Sequence, residues 1–401
     1  MFGLPSGTDP TVYNEYGTIN YKVWYFVEWF PEGTQRALFS MLFGAGIILF
    51  VSGKEKKLDG LWPADYFFRR QLWLIAFSLF DVFVLLWFGD ILLDYAIFGM
   101  LLFTFRKLPP KGLLIAAGVC FLFMFARENR DLYQDKKMIT RGEAIAALDT
   151  SKVKLTPLQT DRLKAMIEFK EESDPKKKRE KVNKSIEIIQ GDHEGIYEMR
   201  TDKYLGSLVQ YMFYYAWDVL CCMLLGMALF KMKVLTGQAR TKVYLLMTLG
   251  GFGVGLLLSW CRIQNFTSNG FNIYEYTKNV SVSFYEPSRI FRSIGFLGFI
   301  LLLYKSGLFK WLFALMRPVG QMAFTNYLMQ SLICGLFFYG IGFGMYGKLD
   351  RLEVYYFVAA VWVFQIIYSH LWLRYFYFGP LEWLWRSLTY WKKQRMLKKG
   401  E

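Results

Sequence analysis

Two apolar stretches lie close together near the end of the chain: residues 321–342 read QMAFTNYLMQSLICGLFFYGIG, and residues 354–375 read VYYFVAAVWVFQIIYSHLWLRY. Each is long enough to cross the hydrocarbon core of a bilayer as an α-helix, which takes about 20 residues. Each also contains amide side chains, Asn326 in the first stretch and Gln365 in the second. Both stretches therefore predict membrane-spanning helices with polar residues inside the bundle.

The whole chain has the same apolar character. Of its 401 residues, 54% are hydrophobic and 19% aromatic, and the charged residues are confined to particular segments. This composition is typical of a polytopic integral membrane protein, with an all-helical bundle as the fold. The nine predicted spans are roughly residues 37–52, 71–88, 90–105, 111–126, 208–230, 243–261, 290–304, 321–342 and 354–375.

The orientation of the chain follows from the positions of its Lys and Arg residues. One set of alternate loops, together with the C-terminal segment, carries more than twice as many of them as the opposite set. Basic residues mark the cytoplasmic side, so the C-terminus is predicted to be cytoplasmic. Nine spans then place the N-terminus outside, and we expect a tenth span before it in the complete protein. The net charge of +15 is thus a topology signal, and no nucleic-acid partner is expected.

These patterns divide the chain into five segments. They are an aromatic interfacial segment on the outer face (1–35), a first transmembrane group (36–126), an extracytoplasmic helical insertion (127–207), a second transmembrane group (208–376) and a basic cytoplasmic segment (377–401). Within the insertion, Thr156 and Asp174 each precede a proline, which predicts two helix starts. Its mixed charge fits a solvated helical surface, with a lid that contacts a glycan as the alternative.

Charged residues inside predicted spans are the first candidates for a site, since a charge at the centre of a membrane helix costs on the order of 2.5 to 3.5 kcal/mol. Asp81, Asp90 and Asp94 are predicted to be catalytic, supplying a general base and contacts to an acceptor. Arg289 and Arg292 are predicted to orient substrate. By orientation, all five lie near the outer leaflet. A purely structural ion-pair cluster would satisfy the same residues.

Polar residues in the last quarter of the chain complete the candidate set. Asn326, Gln330 and Gln365 are predicted to line the substrate passage, with hydrogen bonding between helices as the alternative role. Glu382 and Arg386 follow the last span and are predicted to form an interfacial anchor or a cytoplasmic mouth. The five cysteines and two histidines have no zinc-binding spacing, so neither a metal nor a bound cofactor is expected.

Several blocks of the sequence resemble the YeiB family, which consists of bacterial multi-spanning membrane proteins that contain a domain of unknown function. The resemblance covers most of the chain apart from the insertion, and its C-terminal blocks are the most specific. The resembling blocks are residues 38–46 (LFSMLFGAG), 70–73 (RQLW), 86–92 (LWFGDIL), 320–339 and 378–390.

The resemblance implies a function, because YeiB-like proteins are similar to a wider group of membrane acyltransferases. It implies transfer of an acetyl or other short acyl group from cytoplasmic acyl-CoA to a cell-envelope glycan, in the bacterial cytoplasmic membrane. The expected partners are membrane lipid and that glycan, and the oligomeric state is left open. One alternative is a transporter or flippase, although no internal repeat is evident. A second alternative is a noncatalytic component of the envelope.

Overall fold

The computed structural model is all-helical, as the sequence predicts. It describes residues 3–7, 9–57, 59–87, 89–148 and 154–398. These residues form fifteen α-helices and one short 3-10 helix, and they contain no β-strand beyond an isolated bridge between Phe376 and Leu397. The end of the predicted C-terminal segment, residues 399–401, lies outside the described residues.

The helices are labelled in chain order. They are α1 (Ile19–Trp29), α2 (Thr34–Glu55), α3 (Trp62–Phe83), α4 (Leu92–Leu102) with the 3-10 helix Phe103–Lys107, α5 (Pro110–Ala146), α6 (Pro157–Glu172), α7 (Pro175–Gln190), α8 (His193–Lys231), α9 (Thr241–Ser268), α10 (Ile273–Asn279), α11 (Tyr285–Ser306), α12 (Lys310–Gln321), α13 (Ala323–Phe338), α14 (Arg351–Tyr375) and α15 (Pro380–Tyr390).

Six helical stretches within the described residues are long and apolar enough to cross a membrane. They are Ile19–Glu55, which contains α1 and α2, then α5, the part Leu208–Lys231 of α8, α9, α11 and α14. The prediction of a polytopic helical membrane protein is therefore confirmed. The predicted count of nine spans is not confirmed.

Three of the nine predicted spans correspond to helices outside this set. The run at 71–88 belongs to α3, which has 22 residues but begins with charged residues that include Asp65 and Arg69. The run at 90–105 forms the 11-residue α4 and then tightens into the 3-10 helix. The run at 321–342 forms α13, which has only 16 residues. Apolar composition did not distinguish these shorter or more charged helices from full spans.

The link between α3 and α4 is longer than the single residue, Gly89, that separates the predicted spans 71–88 and 90–105. It runs from 84 to 91, with residue 88 outside the described part. Leu86 adopts a positive φ of 57° there, and its carbonyl accepts a hydrogen bond of 3.0 Å from the Tyr339 hydroxyl. A contact from a distant part of the chain thus fixes a turn that lacks glycine at its positive-φ position.

Two unusually long helices connect the bundle to the insertion. α5 has 37 residues and α8 has 39, so each is about 55 to 60 Å long at 1.5 Å per residue. They pack on each other and carry α6 and α7 at their far ends. The predicted helix starts are confirmed, since Thr156 and Asp174 are the N-caps of α6 and α7. The predicted segment boundaries at 126/127 and 207/208 fall inside continuous helices.

The loops gather into two groups, one at each end of the bundle. At the insertion end, Lys178 of α7 forms an ion pair of 2.8 Å with Asp9, and the Gln190 side chain donates to the Tyr346 carbonyl over 2.6 Å. At the C-terminal end, Lys231 donates over 2.6 Å to the carbonyl of Leu108. The alternation of the loops predicted from nine spans is not confirmed. The side of the membrane that each end faces stays a prediction.

Close helix crossings depend on glycines. A Cβ added at Gly226 of α8 would overlap the carbonyl oxygen of Met41 in α2. Between α9 and α11, an added Cβ at Gly251 or Gly255 would likewise collide with backbone atoms, whereas one at Gly250 would have no atom within 4 Å. Within the glycine-rich run at 250–255, Gly251 and Gly255 thus serve the close packing of α9 against α11.

Candidate functional site

Asp90 joins three helices at the beginning of α4. Its carboxylate accepts hydrogen bonds from the Tyr327 hydroxyl on α13 at 2.8 Å and from the backbone N–H of Leu92 at 3.0 Å. It also accepts from the backbone N–H of Leu93 at 3.3 Å and from the Ser78 hydroxyl on α3. The carboxylate therefore satisfies free N–H groups at the start of α4 and ties α4 to α3 and α13.

Asp81 lies one turn beyond Ser78 on α3 and has a different environment. It is fully buried, at 0% exposure, beside Asp90 and Ser331. Among the described residues, neither of its carboxyl oxygens has a hydrogen-bonding partner of good geometry. Buried polar groups in folded proteins are nearly always hydrogen-bonded. Asp81 thus differs from Asp90, whose carboxylate accepts from two hydroxyls and two backbone N–H groups.

A cavity of about 380 Å³ opens between α13 and α14, and its wall includes Tyr327, which contacts Asp90, and Ser331, which lies beside Asp81. Its polar wall contains Tyr327, Gln330 and Ser331, and the remainder is mostly apolar and aromatic. A largely apolar cavity with a few convergent polar groups is the usual form of a small-molecule site. We refer to Asp81, Asp90, Tyr327 and Ser331 together as the carboxylate site.

The three predicted amides form a chain of hydrogen bonds between α13 and α14. The Gln330 side chain donates to the side-chain oxygen of Gln365 over 2.8 Å. The Gln365 side chain donates to the backbone carbonyl oxygen of Asn326 over 2.8 Å. Asn326 donates in turn to the Ser369 hydroxyl over 3.1 Å. Gln330 also lies on the cavity wall. The amides thus hold the two helices that enclose the cavity.

Arg289 lies in a separate network of charges. Its guanidinium pairs with Asp218 of α8 and, at 2.5 Å, with Glu286 one turn earlier in α11. Asp218 also pairs with Arg36 of α2 at 2.8 Å. Arg289, Asp218 and Glu286 are all buried. A buried ion pair needs such mutual compensation, since an isolated charge in the interior is strongly unfavourable.

Arg292, one turn further along α11, closes the end of α1. It donates to the carbonyl oxygens of Glu28, Trp29 and Phe30, each over 3.1 Å. The last carbonyls of a helix have no partner within the helix, and a guanidinium can satisfy several of them. Glu28 is paired in turn with Arg262 of α9 at 2.5 Å.

The predicted site residues therefore fall into two networks. Asp81 and Asp90 meet at the carboxylate site, whereas Arg289 and Arg292 bind groups of the protein itself. Asp94 is 7% exposed and lies within electrostatic range of both Asp90 and the pair of Arg36 with Asp218. The catalytic role of the three carboxylates and the substrate role of the two arginines stay predictions.

Several residues of both networks were not among the predicted site residues. Tyr327 and Ser331 are four positions apart and therefore share one face of α13, and this spacing could have identified them. Ser78 precedes Asp81 by one turn in the same way. Glu28 had no such signal, because its partner Arg262 is 234 positions away in sequence.

Glu382 and Arg386 lie in α15, away from both networks. Glu382 accepts hydrogen bonds from the backbone N–H groups of Phe324 at 2.8 Å and Thr325 at 2.9 Å. It therefore caps the N-terminus of α13. Arg386 lies over the ring of Phe378, 4.8 Å from its centroid. No group of three or more His, Cys, Asp or Glu residues within the described residues is arranged to hold a metal ion.

The chain is similar to a protein family of unknown function and to two uncharacterized bacterial proteins. The family described as "Protein of unknown function (DUF418)" matches residues 229–392. The uncharacterized protein YxaH of Bacillus subtilis is 29% identical over 368 residues, which cover 90% of this chain and 80% of YxaH. The uncharacterized protein YeiB of Escherichia coli is 28% identical over 397 residues, which cover 97% of this chain and 90% of YeiB. No solved structure matches the chain.

Proposed function

Since the chain belongs to the YeiB-like family of uncharacterised proteins, we propose that it is a membrane acyltransferase. In this proposal it transfers an acetyl or other short acyl group from cytoplasmic acyl-CoA to a cell-envelope glycan. The protein would lie in the bacterial cytoplasmic membrane with its C-terminus in the cytoplasm. The basic loops of the C-terminal end would attract the phosphate groups of the donor.

The observation that carries this proposal is the unpartnered carboxyl group of Asp81 at the carboxylate site. A general base must have a lone pair that is free to accept a proton from the reacting group. Asp81 has two buried carboxyl oxygens without a hydrogen-bonding partner of good geometry in the described part of the chain. Asp90, by contrast, uses its oxygens to hold Tyr327 and the start of α4.

The proposed reaction conserves atoms and charge. Asp81 accepts the proton of an acceptor hydroxyl while the hydroxyl oxygen forms a bond to the thioester carbonyl carbon. The bond from that carbon to sulfur breaks, and the proton passes from Asp81 to the departing thiolate. The products are an ester of the acceptor and a free thiol. Tyr327 and Ser331 provide hydroxyl groups on the cavity wall that can orient the acceptor.

The test uses cells from which the gene has been deleted. Their envelope glycans are compared after complementation with the wild-type gene, the Asp81→Asn variant or the Asp65→Asn variant. Asparagine keeps the shape of the side chain and cannot act as a base. Asp65 is a matched control, because it lies on the same helix in a half-buried ion pair with Arg69. Mass spectrometry should find an acyl modification that wild type and Asp65→Asn restore and Asp81→Asn does not. Equal acylation with Asp81→Asn would refute the role of this carboxylate.

A further inference from the structure

A second cavity, of about 450 Å³, lies at the C-terminal end of the bundle, between α2, α3 and α15. Four cationic side chains line it: Lys54, Lys57, Arg70 and Arg386. The carboxylate on its wall is Glu382, whose oxygens are occupied by the N-terminus of α13. The cavity therefore has an excess of positive charge in a space large enough for a ligand.

Three of these cations are held by aromatic rings. Arg70 lies 4.0 Å from the centroid of the Trp385 ring, and Lys54 lies 4.3 Å from that of Tyr390. Arg386 lies over Phe378 in the same way. None of the four cations forms an ion pair with a carboxylate in the described parts of the chain. Cation–π contacts orient a charge without neutralising it, so the donor groups stay available to an anion.

The surroundings of this cavity are those of a membrane–water interface. Helix α15 is short and amphipathic, and its residues Trp383 and Trp385 donate from their indole N–H groups to the carbonyls of Gln394 and Arg70. Tryptophan and tyrosine concentrate at the level of lipid headgroups, and short amphipathic helices lie in that plane. Such surroundings are typical of the depth at which lipid phosphates are found.

An apolar groove of about 300 Å³ continues from the cavity, and both are lined by Phe50 and Arg70. It follows one face of α2 from Phe50 back to Phe39, a length of about 16 Å. Leu42 on its wall is 57% exposed on the surface of a membrane-spanning helix. In a membrane this surface faces acyl chains, so the groove offers a path for a lipid chain.

We propose that the cavity and groove form a binding site for an anionic phospholipid. The phosphate of the headgroup binds Lys54, Lys57, Arg70 and Arg386, and one acyl chain lies in the groove along α2. The site is separate from the carboxylate site, since Arg70 and Asp81 are about 16 Å apart along the axis of α3. A soluble phosphate compound would match the charges of the cavity but would leave the groove empty.

The test uses the full-length protein purified in neutral detergent. Thermal unfolding and native mass spectrometry are followed during titration with phosphatidylglycerol or with phosphatidylcholine that has identical chains. Phosphatidylglycerol should stay bound and raise Tm, whereas phosphatidylcholine should do neither. The Lys54→Gln, Lys57→Gln double variant should bind phosphatidylglycerol roughly tenfold or more weakly, because it removes two of the four positive charges that bind the phosphate. The matched control is Lys107→Gln, Lys242→Gln, which removes two exposed charges at the same end and should bind like the wild type.

Two glycines allow the headgroup and chain sites to be tested separately. A Cβ added at Gly53 in the cavity or at Gly46 in the groove has no atom within 4 Å. Gly53→Glu should abolish binding by repulsion, and Gly53→Gln should retain it. Gly46→Phe should remove the preference for long-chain over short-chain phosphatidylglycerol, and Gly250→Phe on α9 should not.

Coenzyme A and inorganic phosphate serve as soluble competitors. If neither compound displaces phosphatidylglycerol, the result supports a lipid site. Displacement by coenzyme A at equal concentration overturns the proposal. The proposal is also overturned if the double lysine variant and Gly53→Glu both bind phosphatidylglycerol like the wild type. These are binding measurements, so they do not depend on the proposed acyl transfer.

Discussion

Tyr327 donates a hydrogen bond of 2.8 Å to Asp90, and its hydroxyl also accepts a bond of 3.3 Å from the backbone N–H of Ile91. One side chain of α13 therefore contacts both the carboxylate and the backbone at the beginning of α4. These two helices have 16 and 11 residues. The contact joins two helices that are each short for a membrane span, and it does so at the wall of the cavity.

Removing this hydroxyl should destabilise the protein. Tyr327→Phe leaves the ring in place but deprives a buried carboxylate of a donor, which costs about 1.5 to 3 kcal/mol. Thermal unfolding in detergent should show a lower Tm. Tyr304→Phe is the control, because Tyr304 is 60% exposed and should tolerate the change. An unchanged Tm for Tyr327→Phe would show that the hydrogen bond contributes nothing to the fold.

Loss of the buried guanidinium of Arg289 should be more severe. Arg289→Met leaves Asp218 and Glu286 as buried carboxylates with less compensation, and breaking such a pair costs about 3 to 5 kcal/mol. We expect poor expression or a strongly lowered Tm, with Lys305→Met at an exposed position as the control. A fully stable Arg289→Met protein that lost activity would instead favour the substrate-orienting role predicted from the sequence.

The sequence was sufficient to predict the fold class. Apolar runs of membrane length and the two helix starts marked by proline depend only on residues that are adjacent in the sequence. The sequence also grouped Asp81 and Asp90 with Asp94, Arg289 and Arg292 near one membrane face, and of these the structure brings Asp81 and Asp90 together at the carboxylate site. The separation of the arginines from these carboxylates was not predictable in the same way. Arg289 pairs with Asp218, 71 positions earlier, and the packing of both α8 and α11 against α2 and α5 brings them together.

The crossing of α2 and α8 predicts a steric effect at Gly226. A leucine there would push against the backbone at Met41, and overpacking of this kind costs about 1 to 3 kcal/mol or more. Gly250→Leu is a matched control on a neighbouring span, because an added Cβ at Gly250 meets no atom within 4 Å. The yield of folded protein in size-exclusion chromatography should fall for Gly226→Leu alone. Equal yields would mean that α2 and α8 do not cross as closely as described.

The cap that Glu382 provides to α13 can be tested by hydrogen exchange. Glu382→Ala removes the acceptor of two backbone N–H groups, a loss of about 0.5 to 2 kcal/mol for a helix cap. Exchange at Phe324 and Thr325 should accelerate. Glu55→Ala should leave these amides unchanged, because Glu55 makes an exposed ion pair with Arg106 at the same end of the bundle. Unaltered protection in Glu382→Ala would argue against the cap.

Local sequence patterns did not predict the number of spans, because they do not indicate where a helix ends. The runs at 90–105 and 321–342 are apolar enough to suggest full spans, yet α4 and α13 end early. At the end of α13, the C-cap residue Tyr339 makes a tertiary contact, a hydrogen bond from its hydroxyl to the carbonyl of Leu86. The capping of α13 by Glu382 could not be predicted from local patterns either, since its partners lie 57 and 58 positions earlier in the chain.

The continuity of α5 and α8 has a mechanical consequence. Arg289 contacts α5 through the sulfur of Met124, at 3.9 Å, and α8 through Asp218. Both long helices therefore rest on the same buried side chain before they leave the bundle. A force applied to α6 or α7 would act on α5 and α8, which share their contact with Arg289. The contacts of Arg289 thus connect both arms of the helical insertion to the buried charges of the bundle.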